Sequence, residues 1–117
     1  MLGLEGVHNL LRAKPGAAAE RPFGPEVVVY KIGGKMFAVI GLDPASDHCM
    51  SFKCTPEQFA ELVERNGIVP APYVARYHWV ALESFDALGE KELKALLRNS
   101  YELVIEKLPK KMKAQHS

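Results

Sequence analysis

The feature that most constrains this chain is a pair of adjacent glycines, Gly33-Gly34, set between two runs of β-forming residues, Val27–Ile32 and residues 35–42. Two residues between two strands leave room only for a tight reverse turn. The type I′ turn that matches strand twist needs positive φ at both central positions, which glycine adopts without strain. The pattern therefore predicts a β-hairpin within an antiparallel sheet. Ideal two-residue pairing sets Tyr30 against Phe37 and Val28 against Val39 on one face, and puts Val29, Lys31, Met36 and Ala38 on the other. The face with the two aromatic rings is the expected core side.

Apolar spacing places the other elements around this hairpin. Leu4, Val7, Leu10 and Leu11 recur at helical spacing, and Lys14-Pro15-Gly16 stops that helix, which is predicted over residues 3–13. Residues 16–25, with Pro22 and Pro25 on either side of Phe23-Gly24, form a connector or a weak edge strand. After the polar turn Asp43-Pro44-Ala45-Ser46-Asp47, a strand is expected over residues 48–53, with Met50, Phe52 and Cys54 pointing inward. Thr55-Pro56-Glu57-Gln58 has the form of a capping box with proline at the first helical position, and it opens a helix over residues 56–66 that Asn66-Gly67 ends. Residues 68–77 contain Pro70 and Pro72 and should be extended or irregular; residues 78–83 have the character of a fourth strand. Leu93, Leu96, Leu97, Tyr101, Val104 and Leu108 make an apolar stripe on a helix over residues 90–108, closed by Pro109 and about 30 Å long at the helical rise.

The predicted order is α-β-β-β-α-β-α. The fold class is α+β: an antiparallel sheet of four or more strands with helices packed on one face. Tyr30, Phe37, Val28, Val39, Phe52, Phe59, Leu62, Leu93, Leu97 and Tyr101 are expected to share one core. A chain of 117 residues suits one such core, so residues 1–117 are expected to form a single domain, with residues 110–117 a frayed basic tail.

Charge narrows the function. Fifteen Lys and Arg against fourteen Asp and Glu leave a formal charge of +1, too small for the encompassing positive field of a histone-like binder, so any anion site must be a local patch. The apolar runs fall far short of the ~20 residues that span a bilayer, and Met1-Leu2-Gly3-Leu4-Glu5 lacks a basic stretch leading into an apolar one. No membrane association is expected. Cys49 and Cys54 lie five residues apart, on opposite faces of a strand, and two unpaired thiols fit a reducing compartment; the expected location is the cytoplasm.

Several segments together resemble the MmcQ/YjbR family: Phe23-Gly24-Pro25, Lys31-Ile32-Gly33-Gly34-Lys35-Met36-Phe37-Ala38, Lys53-Cys54, His78-Trp79, and Ser100-Tyr101 through Lys107-Leu108-Pro109. The match runs in order from about Ala13 to Lys111. The resemblance implies a fold similar to CyaY and the frataxins, and a double-wing arrangement with DNA as the partner. Where the family tends to place Asn and Lys shortly before its His-Trp pair, this chain has Ala75-Arg76-Tyr77, and only Arg76 keeps a cation there.

The candidate contact surface follows from cations near the hairpin and the irregular segment. Lys31, Lys35, Lys53 and Arg76, with Tyr77 and His78, are expected to contact phosphates with little sequence specificity; the plainer alternative is a solvated face whose lysines deter edge-to-edge pairing. Tyr73, Tyr77 and Trp79 lie among cations as base-stacking rings would, although a lone Trp in a small domain is more often a core-edge residue. Lys107, Lys110, Lys111 and Lys113 could form a nucleic-acid tail or could simply favour the dipole at a helix C-terminus. His8, His48, His78 and His116 have no ligand-spacing partners, and no nucleophile motif or phosphate loop is present. No enzyme activity, cofactor or metal is expected. The sequence thus supports a small binding domain, monomeric and directed at DNA; the alternative is a protein- or small-molecule-interaction domain that uses the groove between the sheet and residues 68–77.

Overall fold

Gly33 and Gly34 take φ of 59° and 81°, the double positive that the turn requires. Around them the computed structural model, which describes residues 3–43, 45–72 and 74–110, builds the chain in the order α1 Leu4–Arg12, β1 Ala18–Glu20, β2 Val27–Ile32, β3 Lys35–Gly41, β4 Met50–Lys53, α2 Pro56–Leu62, β5 Ile68–Pro70, β6 Trp79–Leu82 and α3 Glu90–Glu106. The strands form one sheet in the order β1-β2-β3-β4-β6-β5, and every neighbouring pair is antiparallel. The α+β class stands. Its four expected strands are joined by β1 and β5, three-residue strands whose edge positions and prolines left little alternation to detect.

Helix ends differ from the sequence reading for a common reason. The capping box of α2 forms as expected, with the Gln58 N–H donating to Thr55 Oγ1 at 3.1 Å and the Thr55 N–H to Gln58 Oε1 at 2.9 Å. The helix stops at Leu62 rather than Asn66 because its last turn tightens, with Glu64 and Arg65 N–H reaching back only three residues, to Glu61 and Leu62. α3 ends the same way: the N–H groups of Lys107 and Leu108 bond to Val104 and Ile105 ahead of Pro109.

The hairpin departs from ideal pairing. Ile32 pairs with Lys35 and Lys31 with Met36, but Tyr30 then faces Ala38 and Val28 faces Ile40. Phe37 is the extra residue of a β-bulge, so every residue of β3 beyond it changes face. The expected Tyr30–Phe37 and Val28–Val39 pairs are therefore corrected: Ala38 lies on the inner side and Val39 on the outer. Phe37 still enters the core, because the bulge lets two successive side chains turn inward.

On the inner face Val28, Tyr30, Phe37, Ile40, Phe52 and Leu82 pack against Val7 and Leu11 of α1, Leu62 of α2, and Leu93, Leu97 and Tyr101 of α3. Phe59 is half-buried against this cluster. Val39 is the expected core residue that leaves it, joining Met36, Val69 and Val74 around buried Ala71, Trp79 and Ala81 on the outer face.

Ser100 ties the bulge to α3. Its side chain is fully buried; the hydroxyl donates to the Phe37 carbonyl at 2.6 Å and accepts from the Lys53 N–H at 3.0 Å. Ser100→Ala would leave two backbone groups without their partner, and a buried polar group so orphaned costs about 1–3 kcal/mol. Chemical denaturation should show a loss in that range; an unchanged midpoint would mean that the serine does not hold the bulge. No helix among the described residues is long and apolar enough to cross a membrane.

Candidate functional site

The end of the sheet that carries the glycine turn also gathers three lysines that have no carboxylate partner among the described residues. Lys35 opens β3 directly after the turn. Lys53 closes β4 and pairs across the strands with Trp79, the first residue of β6, so both side chains rise on the outer face. The last turn of α3 brings Val104 and Lys107 to the same end. From the other side comes a folded-back segment in which the Ala71 N–H donates to the Trp79 carbonyl at 3.0 Å, residues Ala75–Tyr77 form a 3₁₀ turn, and His78 adopts a left-handed φ of 66° that swings the chain into β6.

These elements enclose an open cleft of about 340 Å³ with Lys35, Lys53 and Lys107 around it and Met36, Val74, Tyr77, Trp79 and Val104 as its apolar walls. Trp79 is buried, 5% exposed, whereas Tyr77 is half exposed. Lys53 Nζ donates to the Tyr77 carbonyl at 3.1 Å, which holds the ammonium in place without neutralising it. Burial pushes the Lys53 pKa below its ordinary value, and the nearby Lys107 charge pushes the same way. Among the described residues the lysines and arginines in ion pairs are Lys31, Arg65 and Lys94; none of the three cleft lysines has a carboxylate partner. Three like charges beside apolar walls repel one another, and a bound anion would relieve that repulsion.

The sequence-predicted residues separate in space. Lys35, Lys53 and Tyr77 come together in the cleft. Lys31 turns toward β1, where its ammonium lies 3.5 Å from Glu20. The Arg76 guanidinium sits 4.8 Å from the centre of the Tyr77 ring, covering one face of it. His78 packs edge-on against Phe59, with ring centres 5.8 Å apart, on the side of α2. Tyr73, Lys111, Lys113 and His116 lie outside the described residues. Lys107 and Trp79 belong to the cleft although sequence reasoning weighed them chiefly as a dipole-favouring cation and a core-edge ring; the signal linking them was three-dimensional, since only the length of α3 brings residue 107 back to the end of β4.

Two other depressions flank the helices. One, of about 330 Å³, lies between α2 and α3, where Arg65 bridges Glu61 and Glu92; its lining is dominated by carboxylates. The other, of about 570 Å³, lies between α1 and the β1–β2 edge. Both thiols are poor nucleophiles in this setting: burial raises Cys49 to about 11 and Cys54 to about 12.

Comparison with known proteins agrees with this architecture. A family model described as YjbR matches residues 12–103. The uncharacterized protein YbdF of Escherichia coli O157:H7 is 29% identical over 93 residues, covering 77% of this chain and 74% of that protein. The crystal structure of a Deinococcus radiodurans protein with a DUF419 domain superposes with a TM-score of 0.85 at 26% identity, over 98% of this chain and 88% of that one. A Pseudomonas syringae protein of known structure shares the fold with a TM-score of 0.70 at 22% identity, over 87% of this chain and 98% of that one.

Proposed function

Because the chain belongs to the YjbR family, whose relatives named above bring no stated chemistry with them, we propose from the cleft itself that this is a non-enzymatic, monomeric binding domain that takes single-stranded DNA at the turn end of its sheet. The observation that carries the reading is the convergence of Lys35, Lys53 and Lys107, all without carboxylate partners among the described residues, beside Tyr77 and Trp79. Lysines around an apolar cleft can hold consecutive phosphates while a splayed base enters between them.

A single strand fits better than a duplex. Reading a major groove takes a protruding helix with base-contacting side chains. The exposed side chains of α2 are instead Glu57 and Glu61 among apolar neighbours, and those of α3 mix both charges along its length. Among the described residues the cleft lining offers its lysines no carboxylate, which supports the binding of an anion there. Unpaired thiols suit a reducing compartment, so the cytoplasm is where we place this activity.

Fluorescence anisotropy across a salt series tests the reading. Three phosphate contacts to a single strand predict a slope of log K on log salt of about −2, with duplex of the same length binding more weakly. Equal or tighter binding of duplex would overturn the single-strand reading, and a free mononucleotide binding as tightly as the strand would make the cleft a metabolite site.

A further inference from the structure

The depression between α1 and the β1–β2 edge is built differently from the cleft and lies away from it. α1 presents Glu5, His8 and Arg12 to it from one stripe, at spacings of three and four residues. The facing wall is Glu20 and Arg21, and the floor includes Val28 and Tyr30. The Tyr30 side chain is buried, yet its hydroxyl lies 2.6 Å from His8 Nδ1. Burial favours the uncharged form of both groups, raising Tyr30 and lowering His8, with the Arg12 charge further lowering His8. At neutral pH the pair is therefore a neutral phenol and a neutral imidazole.

Arg12 acts on the phenol oxygen as well, through its charge and a hydrogen bond, which favours the arrangement with the O–H directed at His8. Nδ1 then accepts, and the proton of the ring is assigned to Nε2. Among the described residues both guanidinium groups are anchored by backbone carbonyls rather than carboxylates: Arg12 Nε donates to the His8 carbonyl at 3.3 Å, and Arg21 Nη1 donates to that of Pro25. They are positioned but not neutralised. Glu20 is engaged by Lys31. Two guanidinium charges against Glu5 leave one positive charge unanswered, enough for one carboxylate.

We propose that this depression is a second binding site, for a small molecule bearing one carboxylate, which Arg12 grips from the helix wall and Arg21 from the strand wall while the His8 imidazole N–H orients it. Glu5 remains to accept a hydrogen bond from an amine or hydroxyl of the same ligand, so an amino or hydroxy acid is the preferred class. The site does not depend on the DNA reading, because it shares no lining residue with the cleft.

Two-dimensional NMR of the full chain, titrated separately with acetate, glycine and inorganic phosphate, tests this. Glycine and acetate should give saturable shifts at His8, Arg21 and Tyr30, glycine the tighter of the two, and the His8 ring should show its proton on Nε2. The double variant R12Q/R21Q should weaken both by at least about tenfold, the scale of one lost charge-assisted contact; Lys35→Ala should bind as the parent does. Phosphate binding more tightly than either carboxylate, a proton on Nδ1, or equal binding by the parent and R12Q/R21Q would each overturn the assignment, as would the absence of any saturable shift.

Discussion

Replacing Phe37 by Ala will lower the unfolding free energy by about 3–5 kcal/mol, the range for removing a fully buried aromatic ring and leaving a cavity. The side chain has no solvent exposure. Its ring meets Tyr101 edge-on with centres 5.3 Å apart and lies 6.4 Å from Tyr30, so the truncation removes area burial and two aromatic contacts at once. Because Phe37 is the extra residue of the bulge, the ring joins the sheet to α3 where the strand changes phase. Urea denaturation should show a lower midpoint with an unchanged slope. Lys110→Ala, at an exposed position beyond α3, should stay within about 0.5 kcal/mol of the parent. A Phe37→Ala variant as stable as the parent would contradict the inward placement of the bulge.

The second large effect concerns binding. Removing Lys35, Lys53 and Lys107 together should abolish single-strand binding, with each single replacement weakening it about tenfold, as expected for one charge-assisted contact of roughly 1.4 kcal/mol. Each should also reduce the salt slope by about 0.7, independent of base sequence. Lys53→Met is preferred to alanine at that position because it keeps an unbranched apolar stem beside Trp79 while removing the charge. Lys31→Ala should bind as the parent does, since Lys31 lies toward Glu20 and outside the cleft. A loss from Lys31→Ala equal to that from Lys107→Ala would place the contacts along the whole hairpin instead.

Local chemistry made much of this fold legible. The glycine pair, the capping box at Thr55 and the apolar stripe of α3 each encode their element within a few residues, and the turn, the cap and the long helix form at the predicted places, with both helices ending short of their expected limits. The bulge did not announce itself, because an extra residue in β3 keeps the same alternating composition while shifting its register; what selects it is the fit of Phe37 against Tyr101 and Ser100. β1 and β5 are three residues long and take their stability from a neighbouring strand, so neither carries a pattern of its own.

The site divides along the same line. Lys35 and Lys53 flank recognisable strand ends, so their proximity could be anticipated. The departure of Lys31 depended on β1, which offers it Glu20, and that of His78 on a left-handed backbone that sends its ring to Phe59. Lys107 joins from α3, more than fifty residues from Lys53 in the chain, and no local pattern relates the two.

Trp79 is the chain's one tryptophan and forms part of the cleft wall, so its fluorescence reports on the site directly. The most direct measurement is a titration of that fluorescence with a short unlabelled single-stranded DNA at low salt, for the parent and for the Lys35→Ala, Lys53→Met, Lys107→Ala triple variant. The parent should show a saturable change that salt reverses, and the folded triple variant should show none. Binding seen by anisotropy with no change at Trp79, or the same fluorescence change in the triple variant, would contradict the cleft as the place where nucleic acid is held.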